Sequence, residues 1–315
     1  MKVKHKGRDI TDYISSISWG GSTSEVARKL ELKVINAPLD KNITPLVIGL
    51  ADTIYLYDDA GKELFRGYIT DREAVSTTGT ISYTAYDLLF YTLKSKATYN
   101  FSGKTPEAIT EMVCKDMEIP IGNLASTGLS QKLIVQGKSI YEIIMQAYTQ
   151  AHQQNGKKYY VTAREGKLNV EELGSKVCKN ELTDDCNITS SKYSETLSNM
   201  VNKVRIYDGD GNQTGVVQND ADLKYGIFQQ VYTKEEGKDA TTTAKSMFKG
   251  VDKTFTIQCI NYNDAVTGAG AVIRDSATGL KGKVWITADT HTWTNGVATM
   301  SLTVTLEKIM DTKEG

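Results

Sequence analysis

The best candidate for a metal site in this sequence is a run of acidic and amide residues in the second half of the chain. Residues 208–212 (DGDGN) place oxygen ligands at positions one, three and five of an EF-hand calcium loop. The glycine required at position six is Gln213, and the bidentate glutamate required at position twelve is Asn219. Because strand-like sequence flanks the run instead of helices, we interpret it as a hairpin turn.

The four cysteines lack the spacing of a zinc site, which needs closely paired thiolate or imidazole ligands. Cys178 and Cys186 have no histidine nearby. Cys114 lies beside the apolar face of a predicted helix, and Cys259 lies in the apolar register of a predicted strand. We expect both of these side chains to be buried and all thiols to be free, and we predict no metal and no cofactor.

Acid–base catalysis has few candidate groups, because the chain contains 3 histidines. His291 lies in strand-like sequence, where it could orient a carboxylate or form a hydrogen bond at the edge of a turn; we favour the turn. His5 and His152 have no evident partners in the sequence. Trp285 and Trp293 flank a polar run, and we favour burial in the core for both, with a subunit or sugar contact as the alternative.

Adjacent carboxylates occur in polar stretches that are typical of solvated loops. They are Asp58 and Asp59, Asp184 and Asp185, and Glu235 and Glu236. A glycosidase needs two carboxyl groups brought together in space, which sequence cannot show. Since neither a nucleophile elbow nor a phosphate-binding glycine loop is present, we predict no catalytic, cofactor-binding or metal-binding site.

Two amphipathic helices are predicted in residues 105–155, the only long helical stretch of the sequence. The first begins at Thr105 as N-cap with Pro106 at the first helical position. The second begins after Ser139, and Glu142 follows at the spacing of a capping box. A strand hairpin around Glu165 and Gly166 is predicted to complete a small α+β domain.

Strand-like alternation dominates on both sides of this domain. The last example is the clearest, because apolar residues occupy every second position from Ala298 to Leu306. We therefore predict a mainly β fold with an α+β insertion: a first antiparallel β-barrel arm at residues 1–103, the insertion at residues 104–174 and a second β-barrel arm at residues 175–315.

Composition excludes several classes of protein. Lys+Arg number 37 against 38 Asp+Glu, so the net charge of −1 gives no basic field for wrapping nucleic acid. The sequence shows no signal peptide and no apolar stretch of about 20 residues, the length of a membrane span. We expect a globular protein that is assembled in the cytoplasm and has no membrane anchor.

Motifs along nearly the whole chain resemble one known family. They are residues 17–19 (ISW), 64–68 (LFRGY), 84–89 (TAYDLL), 138–144 (KSIYEII), 147–149 (AYT), 272–280 (VIRDSATGL), 285–293 (WITADTHTW) and 300–310. In this order and spacing they are similar to the XkdQ/YqbQ-like hub proteins of contractile phage tails, defective prophages and tailocins of Gram-positive bacteria.

This resemblance implies a structural baseplate hub within a virion or tailocin particle. Such hubs form homotrimers that join the hexameric tail tube to the central spike, because each protomer carries two tube-like β-barrel domains. The implied partners are the tail tube protein, spike or lysozyme-like and LysM-containing baseplate proteins, baseplate wedge proteins and the tape measure protein. The alternative is a peptidoglycan-binding or cell-wall hydrolase component of the tail. We expect interface or edge strands at residues 30–35 and 297–306.

Overall fold

The structure of the 315-residue chain is a computed structural model, which describes residues 1–37, 40–41, 44, 46–75, 79–234 and 239–313. The chain forms two compact units, a large unit of Met1–Ser191 with Thr256–Gly315 and a small unit of Lys192–Phe255. The adjacent carboxylates Glu235 and Glu236 lie outside the described residues.

The first part of the chain consists mostly of strands. They are β1 (Lys2–His5), β2 (Arg8–Asp9), β3 (Ile14–Ser22), β4 (Lys29–Ile35), β5 (Thr53–Tyr57), β6 (Glu63–Val75) and β7 (Thr80–Tyr86). Helices enter next, among short strands. These elements are α1 (Leu89–Lys94), β8 (Lys96–Lys104), α2 (Pro106–Asp116), β9 (Ile121–Leu124), β10 (Gln131–Ser139), α3 (Ile140–Asn155), β11 (Tyr159–Arg164) and β12 (Lys167–Glu172).

The remaining elements are again mostly strands. They are β13 (Leu182–Thr183), β14 (Ile188–Thr196), β15 (Lys203–Tyr207), β16 (Gln213–Gln218), β17 (Gln229–Thr233), α4 (Ala240–Ser246), β18 (Asp252–Ile260), β19 (Gly270–Asp275), β20 (Leu280–Thr294) and β21 (Val297–Thr305). Short 3-10 helices occur at Thr11–Tyr13 and Asp220–Tyr225.

One 13-stranded sheet joins the two ends of the chain. Its order is β14-β18-β21-β20-β3-β4-β7-β6-β5-β1-β2, with β19 paired beside β20 and β13 beside β19. The seam between early and late strands is the antiparallel pair β3–β20, in which Trp19 lies opposite His291. Period-two patterns drive this assembly: Leu30, Leu32 and Val34 on β4 are buried while the residues between them are half-buried or exposed. The prediction of a mainly β, antiparallel fold is confirmed.

The two strands expected at an edge or interface are both internal in the sheet, so the expectation of an edge is wrong, while a contact with another subunit stays a prediction. Strand β4 lies between β3 and β7, and β21 lies between β18 and β20. Sequence alternation showed that each strand has one buried face, but it carries no information on how many neighbours pair with the strand. Among the described residues, the ends of the sheet path are β2 and β14.

The helices begin as the sequence predicts. Thr105 caps α2 by accepting a hydrogen bond from the backbone N–H of Ala108, and Pro106 follows at the first helical position. Ser139 and Glu142 form the capping box of α3, which ends at Gly156 with a left-handed backbone (φ +71°). Strand β8 pairs with β10, and β11-β12-β9 form a three-stranded sheet.

The predicted boundaries at residues 103/104 and 174/175 stay a prediction. The compact units are instead divided at Ser191 and Thr256. The apolar core around α2 and α3 also contains Leu88, Leu89 and Met310, which come from outside the predicted insertion. Burial of these side chains joins segments that are distant in the chain.

The small unit is a three-stranded sheet with one helix. Its strands have the order β16-β15-β17, and Val204, Ile206 and Tyr232 form its core with Ala244 of α4. Residues 208–212 connect β15 and β16 as a hairpin turn, in which Asp208 accepts backbone hydrogen bonds from Asp210 and Asn212. The interpretation of this run as a turn is therefore confirmed.

Candidate functional site

A buried carboxylate forms the centre of the β3–β20 seam. We call Trp19, Arg28, Thr267, Asp289 and His291 the Asp289 cluster. The Arg28 guanidinium donates Nη1–H to Oδ1 of Asp289 at 2.9 Å and Nη2–H to Oδ2 at 2.5 Å. Thr267 donates its backbone N–H and its hydroxyl to Oδ1 at 2.6 and 2.7 Å. His291 Nε2 lies 3.2 Å from Oδ2, and Arg28 stacks on the Trp19 ring at 4.3 Å.

This environment favours the ionised form of Asp289. Burial alone would raise the pKa of the carboxyl, but the Arg28 charge and the hydrogen bonds from His291 and Arg28 outweigh it and hold the pKa below its ordinary value. Both carboxylate oxygens already accept hydrogen bonds, and the side chain has no exposed area. The carboxylate therefore has no free oxygen that could accept a proton from a substrate. The cluster instead joins the two ends of the chain.

Asp87 lies next to the cluster and is also buried. Its carboxylate accepts backbone N–H bonds from Arg28 at 3.2 Å and from Leu89 at 3.0 Å. Burial raises the pKa of Asp87 to about 7, although the backbone bonds and the Arg28 charge oppose that rise. Asp87 therefore fixes the start of α1 against the segment that leads into β4.

A second buried carboxylate, Glu171, lies on β12. Arg164 donates to both of its oxygens, at 2.6 and 2.9 Å, and Lys176 Nζ lies 2.9 Å from Oε1. The Tyr160 hydroxyl donates to Oε2 at 2.9 Å. Burial, followed by the Glu171 charge, raises the pKa of Tyr160. Two cations thus share one carboxylate, which leaves this part of the surface with an excess of positive charge.

The large unit contains a cleft of about 450 Å³, which we call the β11 cleft; its lining includes Arg28 and Arg164, the arginine partners of Asp289 and Glu171. Trp19, Arg28 and Asp87 line it on one side, and residues 162–166 of β11 and the following turn line it on another. Its volume lies within the range of roughly 300–1,000 Å³ that is typical of ligand sites. Phe65, Val266 and Ala269 give it an apolar part.

The structure gives His291 both of the contacts that were considered. The residue lies within β20 and is fully buried, with Nδ1 2.6 Å from Oδ1 of Asn261 and Nε2 3.2 Å from the carbonyl oxygen of Ala265, both in the turn-containing segment between β18 and β19. Nε2 also lies 3.2 Å from Oδ2 of Asp289, so the favoured hydrogen bond to a turn and the contact with a carboxylate both occur. Asp289 is two residues away on the same face of the strand, since side chains alternate with a period of two.

Partners also exist for the other histidines. His5 Nε2 lies 2.9 Å from Asp52, whose carboxylate also accepts the backbone N–H of Gly49 at 2.8 Å. The sequence carries no local signal for this pair, because 47 positions separate the two residues. His152 Nδ1 lies 2.9 Å from the carbonyl oxygen of Lys157.

The remaining candidate residues lie apart from the Asp289 cluster. Asp58 accepts the backbone N–H of Lys62 in the turn between β5 and β6, and Asp184 accepts that of Ser276. Cys114 and Cys259 are buried, as predicted, and burial raises the pKa of each thiol to about 12. Within the described ranges, no group of three or more His, Cys, Asp or Glu side chains has the geometry to hold a metal ion.

The two tryptophans differ in their surroundings. Trp293 is half-buried and stacks near His291 and Trp19, at centroid distances of 6.1 and 6.5 Å. Trp285 is also half-buried, and the ammonium groups of Lys283 and Lys308 each lie 4.7 Å from its ring centroid. Trp293 packs against the core that contains Trp19, which agrees with the favoured interpretation, whereas for Trp285 that interpretation stays a prediction.

No local sequence pattern distinguishes Arg28, Asp87 or Thr267 as functional residues. Arg28 and Asp289 are 261 positions apart, and no local pattern relates them. The one available signal was a charged residue placed directly before the alternating run of β4.

The chain resembles known proteins in both sequence and fold. The sequence profile of the YqbQ-like family matches residues 17–305, which is most of the chain. The chain belongs to the YqbQ-like family. It is 28% identical over 301 residues to the uncharacterized protein YqbQ of Bacillus subtilis, covering 92% of this chain and 91% of that protein. It is 26% identical over 310 residues to the phage-like element PBSX protein XkdQ of the same organism, covering 94% and 93%.

Solved structures show that this YqbQ-like chain has the fold of phage tail proteins. The 43 kDa tail protein of prophage MuSo2 from Shewanella oneidensis superposes with a TM-score of 0.74 at 15% identity, covering 96% of this chain and 97% of that one. A tail protein from Neisseria meningitidis gives 0.69 at 13% identity, covering 96% and 95%. A component of the E. coli type VI secretion system, described as similar to T4 tail proteins gp27 and gp5, gives 0.59 at 10% identity, covering 100% and 80%.

The described part of the chain contains no helix that is both long and apolar enough to cross a membrane.

Proposed function

We propose that this YqbQ-like protein is a structural baseplate hub of a contractile phage-like tail. In this role three copies form a ring that joins the hexameric tail tube to the central spike. The observation that carries the proposal is the β3–β20 pair, which places strands from both ends of the chain side by side in one antiparallel sheet. The family resemblance implies two β arms in each protomer, so three protomers would offer six to a hexameric tube.

The ends of the sheet path supply surfaces for closing such a ring. Strand β14 has nine residues and pairs only with β18, so one edge of its backbone is open among the described residues. Closed symmetry removes open edges by pairing each of them with a neighbouring copy. This assignment replaces the internal strands β4 and β21 as the hydrogen-bonding interface.

The partners that follow from this role are other tail proteins. We propose the tail tube protein, the spike or lysozyme-like and LysM-containing baseplate proteins, the wedge proteins and the tape measure protein. The particle would be assembled in the host cytoplasm and would be either a virion or a tailocin. We propose neither sequence-specific nucleic acid nor a membrane anchor as part of this assembly.

We propose no catalytic role. The buried carboxylates Asp289 and Glu171 are both neutralised by arginine, and neither is free to act as an acid or a base. Both tryptophan rings that could have stacked on sugars are largely covered. A peptidoglycan zymogram is therefore expected to be negative, whereas lysis that disappears on changing one carboxylate would favour the hydrolase.

Native mass spectrometry and electron microscopy of the full chain, alone and with its tube protein, test the hub. We expect a trimer that becomes more populated when tube protein is added, and rings of threefold symmetry in micrographs. A chain that stays monomeric at high concentration and fails to co-purify with tube protein would overturn the proposal.

A further inference from the structure

The β11 cleft runs along an unpaired strand edge. Strand β11 pairs with β12 on one side, and no third strand pairs with its other side in the described part of the chain. Thr162, Ala163 and Arg164 are consecutive, yet all three line the cleft. Because successive side chains of a strand point to opposite faces, consecutive residues can share a cleft only where it follows the strand's edge. In this register the backbone groups of Thr162 and Arg164 face β12, so the free edge beside the cleft offers the N–H and C=O of Ala163 to an added strand.

The charged side chains that line the cleft determine which kind of strand would bind. Six cationic side chains line the cleft, against four acidic ones. The lining arginines each have a carboxylate partner: Arg28 with Asp289, Arg66 with Glu63 and Arg164 with Glu171. Lys176 shares Glu171 with Arg164, so it has no carboxylate of its own.

Two further lysines of the lining add to this excess. Lys62 and Lys179 are exposed, and neither has an ion pair within the described ranges. Of the acidic residues, Glu63 is paired and Asp87 is buried, which leaves Glu165 and Asp264 to oppose the three lysines. The cleft therefore has a small positive excess that favours carboxylates over ammonium groups.

From these observations we propose that the β11 cleft binds an extended acidic segment of a partner protein, which adds as a strand to the free edge of β11. The segment's backbone would pair with the edge at Ala163 in the manner of strand addition. Its carboxylates would contact Lys62, Lys176 and Lys179, and an apolar side chain would contact Phe65 and Val266. The proposed binding site does not depend on trimer formation or on whether the protein has catalytic activity.

A fluorescence anisotropy titration of the full chain tests the site directly. The probe is a short labelled peptide in which Glu and Val alternate. The first comparison peptide has Lys in place of Glu, and the second keeps Glu but is N-methylated at every second backbone nitrogen. We expect the acidic peptide to bind, with an affinity that falls as salt is added, and both comparison peptides to bind at least about tenfold more weakly.

Charge reversals inside and outside the cleft locate the site on the protein. The double variant Lys62→Glu/Lys179→Glu is expected to weaken binding of the acidic peptide about tenfold, since each exposed charge contributes up to about 1 kcal/mol. Lys132→Glu, an exposed lysine on β10 outside the cleft, is the control and is expected to leave the affinity unchanged. Equal melting temperatures of the three proteins exclude loss of folding as the cause.

Three outcomes would overturn the proposal. The first is no binding of the acidic peptide below about 1 mM, which corresponds to less than about 4 kcal/mol of binding free energy. The second is equal binding of the N-methylated peptide, because it removes the backbone donors that strand addition needs. The third is equal weakening by Lys132→Glu and by the double variant, which would mean a diffuse charge effect.

Discussion

At the scale of single residues, stability depends on carboxylates that are buried with specific partners. Asp289 is held by Arg28, Thr267 and His291, and Glu171 by Arg164 and Lys176. Burying an ion pair gains little in itself, but removing one partner leaves the other charge without compensation. The geometry of these groups therefore predicts sharp losses on substitution and little effect from exposed pairs.

Asp289→Asn is expected to lower the free energy of unfolding by about 3–5 kcal/mol, because Arg28 would remain buried without a counter-charge. Chemical denaturation of the variant measures this loss. Asp185→Asn is the control: Asp185 is exposed and lies 3.9 Å from Arg274, so its loss is expected to cost less than about 1 kcal/mol. Similar losses for both variants would show that the Asp289 cluster has no special role.

Asp87 predicts a pH dependence of stability near neutrality. Its pKa in the folded protein is about 7, above the ordinary aspartate value of 3.8, so the folded state binds this proton more tightly than the unfolded state does. The stabilisation is complete below the unfolded pKa and is lost as the pH rises through about 7. We expect the free energy of unfolding to fall by up to about 4 kcal/mol from pH 4 to pH 8 on account of this group.

Asp87→Asn isolates that contribution. The variant cannot ionise at this position, so its stability curve is expected to be flatter than that of the parent chain between pH 5 and about 8. Denaturant midpoints measured across this range provide the comparison. Parallel curves for the two proteins would assign the pH dependence to other groups.

At the scale of elements, local sequence explains where helices and turns begin and end. The capping box of α3 and the left-handed Gly156 after it fix both ends of the longest helix, and Asp239 caps α4 by accepting the backbone N–H of Thr242. These features act within a few residues, and for that reason they could be read before any tertiary contact was known. Strand-like patterns likewise identified β4 and β21 but not their neighbours.

Ser139→Ala is expected to destabilise the protein by about 1 kcal/mol, because it removes the side-chain acceptor of the Glu142 N–H at the start of α3. Thermal unfolding is a suitable measurement. Gln153→Ala, an exposed position on the same helix, should leave stability unchanged or slightly raised, since alanine favours helix. A Ser139→Ala protein as stable as the parent would show that the cap is dispensable.

At the scale of the whole molecule, the long sheet and its open edge are the features on which the proposed hub role depends. Strands from the first third and the last fifth of the chain meet at the β3–β20 seam, and the exposed strand β14 ends the sheet path. The small unit, Lys192–Phe255, has its own core around Val204 and Ile206. Assembly is therefore predicted to depend on strand edges and not on a chemical site.

Proline substitution on β14 tests this dependence. Ser190→Pro and Ser194→Pro, made separately, are each expected to reduce the trimer population while the monomer stays folded, because an edge strand tolerates the loss of one donor. Val216→Pro on β16, an edge strand of the separate small sheet, is the control. Analytical ultracentrifugation with circular dichroism measures both properties. Trimers unaffected by both β14 variants would exclude this edge from the interface.

The sequence by itself determined the elements of this protein and its family resemblance. Helix caps, hairpin turns and period-two strands depend on interactions within a few residues, so DGDGN at 208–212 was interpreted correctly as a turn. Only the tertiary structure decided which strands are internal and which side chains meet. Arg28 and Asp289, like His5 and Asp52, come together because long-range strand pairing aligns them, and one sequence carries no local signal for such pairing.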